Sequence, residues 1–269
     1  MRRMILLLIS VVFGCLAFSA AQAETMELRP LTIIGKDDRQ PIDNVEDFPY
    51  CSVAFMDVIC TCGCGWECSG SLVGPDVVLT AAHSLVCTDH AAPAEAVIVY
   101  FGYKNYKTYE YRYDGPWTAY VGNMFTNHEY TFENDWGVLF LDEKPGEQIK
   151  CLTLNPDTKT DSDQSDNFSI IGYSDGTLYV DQGPLLTVDD ARFQYTMDQD
   201  FGASGGPILD DDKQVCGIII GHQEDDDGSQ SNIGLTLSSE IMDVCEALIR
   251  HAEIDLDYIK FQSPDEWQD

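Results

Sequence analysis

The chain has 269 residues, 15 lysines and arginines, 46 aspartates and glutamates, and a net charge of −31. That length accommodates one domain or two packed halves. A surface this acidic repels nucleic acid and anionic membranes, so neither is expected as a partner.

Met1-Arg2-Arg3 is a short basic start, Ile5 to Ala20 is apolar, and Ala21-Gln22-Ala23 has the small-x-small form of a signal-peptidase site. Residues 1–23 therefore read as a secretory signal, and the protein as secreted or periplasmic. Cys15 is not read as a lipoprotein cysteine, because Phe13 is bulky where a small residue is required. No later apolar run is long enough to span a bilayer as a helix. Removing the signal leaves 13 basic against 46 acidic residues, a net charge of −33, and nine cysteines. In a secreted chain such cysteines read as disulfides before metal ligands, with at least one thiol left over.

Residues 24–32 are polar and read as a short propeptide or a frayed end before Ile33-Ile34-Gly35-Lys36-Asp37-Asp38-Arg39. Pro49 to Phe55 alternates like a strand. The run Cys60-Thr61-Cys62-Gly63-Cys64-Gly65-Trp66-Glu67-Cys68 lacks the C-x2-C knuckles of structural zinc sites, so no metal is expected there. Val97 to Phe101 and the tyrosine-rich stretch 103–120 read as strands. Residues 143–167 are polar and join a first half, 33–142, to a second half, 168–261. Ser169 to Ser174, Ala191 to Tyr195, Pro207 to Leu209 and Val215 to Ile220 are candidate strands of that second half. The acidic run 224–228 does not have the spacing of an EF-hand and reads as an exposed loop. Ser239-Glu240 opens a helix whose stripe is Ile241, Val244, Cys245, Leu248 and Ile249. The tail 262–269 is polar and reads as loose.

Three segments carry chemistry. Phe201-Gly202-Ala203-Ser204-Gly205-Gly206-Pro207 presents one hydroxyl on a glycine-rich turn. A serine hydroxyl is a weak nucleophile that needs a base, and the base needs an orienting acid. Thr80-Ala81-Ala82-His83 offers the base, and Asn134-Asp135-Trp136-Gly137-Val138-Leu139 offers an acid at the mouth of an apolar strand. Gly202-Ala203-Ser204-Gly205-Gly206 also fits the G-x-S-x-G elbow of α/β-hydrolases. That fold needs its acid and histidine after the serine, and only 65 residues follow Ser204.

The order His83, Asp135, Ser204, with these flanking residues, resembles the chymotrypsin-like serine peptidases from about Ile33 to Ile249. Ile33 to Arg39 and the D-W-G-V-L segment at Asp135 are similar to the bacterial glutamyl endopeptidase branch. The resemblance implies an all-β fold of two antiparallel six-stranded β-barrels with a C-terminal helix. It implies a secreted monomeric endopeptidase that acts on proteins or peptides and uses no cofactor. His83, Asp135 and Ser204 would be the catalytic triad, and the N–H groups of Gly202 and Ser204 the oxyanion hole. Cys68-Ser69-Gly70-Ser71-Leu72 matches the strand before the histidine, and implies a Cys68–Cys87 disulfide. The helix cysteine implies a second, Cys151–Cys245.

Substrate would be bound by Asp198, Ile219, Ile220, Gly221 and His222. Asp198 stands where the family's pocket-floor aspartate selects arginine or lysine. For glutamate the family uses a histidine where this chain has Ile219, with His222 three residues later. Ala203 replaces the aspartate that binds the new N-terminus in animal members, so that activation switch is expected to be absent. A catalytically silent binding protein on the same fold is the alternative, since fold alone does not prescribe activity.

Overall fold

The computed structural model describes residues 31–123, 125–126, 129–157, 167–188, 191–224, 227–254 and 258–264. The expected signal peptide, residues 24–30 of the possible propeptide, 158–166 of the connection, 225–226 of the acidic loop and 265–269 of the tail lie outside these residues.

The first half supplies β1 (Gln40–Pro41), β2 (Val53–Cys60), β3 (Gly65–Gly74), β4 (Val77–Thr80), β5 (Val86–Cys87) and β6 (Ala92–Phe101). It continues with β7 (Tyr111–Tyr113), β8 (Trp117–Val121), β9 (Phe125–Thr126), β10 (Glu129–Tyr130) and β11 (Gly137–Leu141). The second half supplies β12 (Phe168–Ser174), β13 (Thr177–Gly183), β14 (Thr187–Val188), β15 (Arg192–Tyr195), β16 (Pro207–Leu209), β17 (Val215–Glu224) and β18 (Gln230–Thr236). Helix α1 (Ser239–Ile249) and β19 (Ile259–Gln262) close the chain.

The strands form two large antiparallel sheets, with β9 and β10 paired apart from them. One runs β19-β8-β11-β4-β3-β2-β6-β5 with β7 also on β6, and the other β1-β13-β12-β16-β17-β18-β15-β14. The architecture is the two-sheet, chymotrypsin-like one. Short edge strands raise the membership to nine and eight, above six each. Two of these cross over: β1, early in the chain, pairs with β13, and β19, at its end, pairs with β8. Each terminal segment thereby covers an edge of the other sheet, which removes an exposed ladder of unpaired backbone groups.

Alternation divides the first residues of β2 between two clusters, Val53 and Phe55 in one and Ala54 and Met56 in the other. In β2, Val53, Phe55 and the rest of the strand up to Met56 are fully buried, whereas Ile59 is exposed at the hairpin end. Phe55 stacks on Tyr103 and meets Tyr173 of β12 edge-on, with ring centroids 4.1 and 5.3 Å apart. These rings join the two sheets into one continuous core. The stretch 103–110 is a loop carrying part of that aromatic cluster, and β7 and β8 begin only after it.

Helix α1 packs on β3, β4 and β11. Its buried face is Ile241, Val244, Cys245 and Leu248, with Ile249 at the margin, as the periodicity required. The cap is Ser238, one residue earlier than expected: its hydroxyl accepts the Ile241 N–H at 3.3 Å.

Candidate active site

The register of one strand pair brings acid and histidine together. In the antiparallel β4–β11 ladder Thr80 lies opposite Gly137. His83 follows Thr80 by three residues and Asp135 precedes Gly137 by two, so both leave the same end of the ladder. A short 3-10 turn, Ala82–Ser84, then aims His83 at the carboxylate. Asp135 is fully buried. One carboxylate oxygen accepts the backbone N–H of His83 at 2.9 Å, and the other meets His83 Nδ1 at 2.7 Å. Gripped at ring and main chain, the imidazole is held with Nε2 directed away from Asp135.

The serine comes from the other sheet, on the turn leading into β16. Gly202 and Gly205 have φ of +96° and +81°, which favours glycine. A Cβ on Gly205 would also collide with Ser69 O and Thr80 Oγ1. Within the turn, Gly205 N–H donates to Ile219 O and Gly206 N–H to Ala203 O. The N–H groups of Gly202 and Ser204 donate to no group among the described residues.

Ser69 of β3 ties this turn to the first sheet, and nothing in its sequence context had marked it. Its hydroxyl donates to Gly202 O at 2.8 Å and accepts the Tyr173 N–H at 2.9 Å. Its own N–H donates to Ser204 O at 2.8 Å, and its carbonyl accepts the Thr80 hydroxyl at 2.7 Å. Four bonds on one buried residue thus couple the glycine turn to the strand that leads to His83.

His83, Gly202 and Ser204 line one cavity of about 430 Å³ together with Trp66, Phe201 and Ile220. Leu31, from the N-terminal segment, reaches the same cavity. Of the residues expected to bind substrate, Ile220 lines this cavity. Ile219 is buried in the core beneath it, and Gly221 and His222 continue β17 beyond it.

Asp198 stands apart from this cavity. It does not line the cavity, and it is 2% exposed. Its carboxylate accepts the N–H groups of Ile34 at 2.6 Å and Asp38 at 3.2 Å. Asn232 holds the same segment through both the N–H and the carbonyl of Thr32. The aspartate therefore anchors the chain's N-terminal segment. Burial holds its carboxyl above the ordinary value of 3.8, opposed by those two N–H groups.

The expected disulfides are not at bonding distance among the described residues. All nine described cysteines are free thiols. Cys68 Sγ points at Ser84 O, 3.8 Å away, while Cys87 Sγ lies 3.4 Å from His90 Nδ1, so the two do not pair. Cys245 is sealed in the core under α1, and Cys151 sits beside Gly146 near the surface. Burial pushes the Cys68 and Cys245 thiols up to about 12, which keeps them protonated and inert.

Comparison with known proteins agrees with this geometry. A family model described as a trypsin-like peptidase domain matches residues 68–218. The chain is 27% identical over 228 residues to a glutamyl endopeptidase of Bacillus licheniformis, covering 79% of this chain and 67% of that one. It is 26% identical over 230 residues to a Bacillus subtilis protein named extracellular metalloprotease, covering 80% and 68%. A Staphylococcus aureus glutamyl endopeptidase is 24% identical over 202 residues, covering 72% of this chain but 53% of the relative. Among solved structures, a Glu endopeptidase in complex with MPD superposes with a TM-score of 0.68 at 20% identity, over 81% of this chain and 99% of that one. The protease Anisep from Arthrobacter nicotinovorans gives 0.54 at 17%, over 71% and 90%. At those identities the structural likeness is one of fold. With the family model matching more than half of its length, the chain belongs to the trypsin-like peptidase family and is a serine endopeptidase.

Proposed function

We propose that this endopeptidase is exported and cleaves proteins with Ser204 as nucleophile, His83 as general base and Asp135 as its orienting acid. The observation that carries the reading is the double grip of Asp135 on His83, beside a cavity that His83 shares with Ser204. With Nδ1–H donated to Asp135, Nε2 is the nitrogen left to take the Ser204 proton. The Ser204 oxygen then adds to the peptide carbonyl, and the N–H groups of Gly202 and Ser204 receive the developing oxyanion. Collapse breaks the C–N bond, and His83 returns the proton to the departing amine. Water, deprotonated by His83, releases the acid from the acyl-enzyme and restores Ser204.

Cleavage after arginine or lysine loses its support, because the Asp198 carboxylate is engaged by the N-terminal segment. The name glutamyl endopeptidase, borne by two relatives, supports cleavage after glutamate. His222, two residues along β17 from the cavity-lining Ile220, is the group to test as the partner of that carboxylate.

The experiment is digestion of a mixed peptide library by the wild type and by Ser204→Ala, read by mass spectrometry. Cleavage by the wild type alone, enriched in glutamate before the cut, is the expected result. Cleavage by Ser204→Ala would refute the nucleophile, an intact library would favour a silent binding protein, and enrichment of arginine or lysine would refute the specificity.

A further inference from the structure

Four metal-binding side chains converge where the reading above uses none of them. The donor atoms of Cys62, Cys64, Cys87 and His90 all lie within 4.8 Å of one another. Cys64 Sγ is 3.8 Å and Cys87 Sγ 3.4 Å from His90 Nδ1. In a tetrahedral zinc site, bonds of about 2.3 Å to sulfur and about 2.0 Å to nitrogen set neighbouring donors roughly 3.5 to 3.8 Å apart. These two sulfur–nitrogen distances already match that spacing. A disulfide instead needs sulfurs about 2.05 Å apart, and none of the described cysteines is so placed.

The donors stand on two hairpin ends. Cys62 and Cys64 occupy the β2–β3 turn, with Gly63 between them at φ +83°. That turn is closed by Gly63 N–H to Cys60 O at 2.7 Å and Cys60 N–H to Cys64 O at 2.8 Å. Thr61 N–H ties it to Pro93 O of β6 at 3.0 Å. Cys87 ends β5, and His90 lies in the turn from β5 to β6. The backbone therefore presents all four donors before any ion arrives, which lowers the ordering cost of binding.

We propose that Cys62, Cys64, Cys87 and His90 bind one zinc ion in a closed Cys3His site. Three thiol protons pass to solvent on binding, leaving a complex of net charge −1, and no oxidant or reductant takes part. Three sulfur donors select zinc over calcium or magnesium. Four protein ligands leave no open position for water or substrate, so the ion is structural. Its place gives it a consequence. Cys87 follows His83 by four residues, and Cys64 and Cys87 line the cavity that holds His83 and Ser204. The ion would fasten the His83 loop to the β2–β3 hairpin.

The test measures metal in the full chain, expressed with zinc present and purified without chelator. Inductively coupled plasma mass spectrometry should find about one zinc per chain in the wild type. Cys64→Ser and His90→Ala should each hold roughly tenfold less, with folding checked by circular dichroism. His90→Cys keeps four donors and should retain the ion. Cobalt in place of zinc should give the intense visible bands of a tetrahedral thiolate site. Neither readout uses peptidase activity. The proposal is overturned if the reduced wild type takes up no zinc or cobalt, if folded Cys64→Ser and His90→Ala retain it, or if the exported protein carries a disulfide among Cys62, Cys64 and Cys87.

Discussion

Ser69→Ala isolates how the two sheets cooperate. The hydroxyl is fully buried, accepts from Tyr173 N–H and donates to Gly202 O. Alanine removes both bonds and leaves a buried donor and a buried acceptor unsatisfied. Each unsatisfied group costs about 1–3 kcal/mol, together roughly 2–6 kcal/mol. That is a large fraction of the ~5–15 kcal/mol that holds a domain folded. The backbone bond from Ser69 N–H to Ser204 O survives, so the turn stays docked while the Gly202 peptide loses its orienting contact. Misdirecting one proposed oxyanion donor should lower kcat by roughly 10- to 100-fold. KM should change little, because Ser69 does not line the cavity. Urea unfolding and steady-state kinetics on one peptide substrate measure the two effects separately. A stability loss below about 1 kcal/mol would refute the burial argument. A full loss of stability with kcat held within about twofold would refute the positioning role.

Two more expectations follow from the same site. Phe201 lines the cavity yet is 66% exposed, so Phe201→Ala should raise KM several-fold with kcat unchanged, as loss of a substrate-facing apolar surface does. An unchanged KM would place that ring outside the substrate path. Asp198, beside Asp38 and Asp181, has a folded pKa raised above its ordinary 3.8. The folded state then binds more protons than the unfolded one above that value, so this carboxyl favours folding at low pH. Its contribution is lost as pH rises through the raised pKa. Asp198→Asn should flatten the decline in thermal midpoint as pH rises above the ordinary 3.8. An identical slope in the variant would show that other carboxyls, such as the half-buried Asp57, carry it.

Local chemistry was legible along the chain. Pro207–Leu209 and the apolar face of α1 lie where a short apolar run and the helical period placed them, because each pattern needs only neighbouring residues to be expressed. The glycines around Ser204 likewise announced a tight turn, and their positive φ values bear that out. The acid and histidine were legible as residues suited to a serine's chemistry. Their meeting follows from the Thr80–Gly137 register, which is a property of two strands and of neither alone.

What the order of residues left open was decided by distance in space. Ser69 looks like any small strand residue, and its role exists only because β3 crosses the Ser204 turn from the other sheet. Asp198 sat at a pocket position by count along the chain. In the fold, the N-terminal segment returns across the second sheet and its backbone N–H groups occupy the carboxylate. The cysteine run contributes Cys62 and Cys64, and only the fold brings Cys87 and His90 of the next hairpin beside them. Periodicity and turn chemistry act over a few residues and can be read in sequence. Hydrogen bonds between segments more than a hundred residues apart, as from Ser69 to Gly202, arise only when the two sheets close on each other.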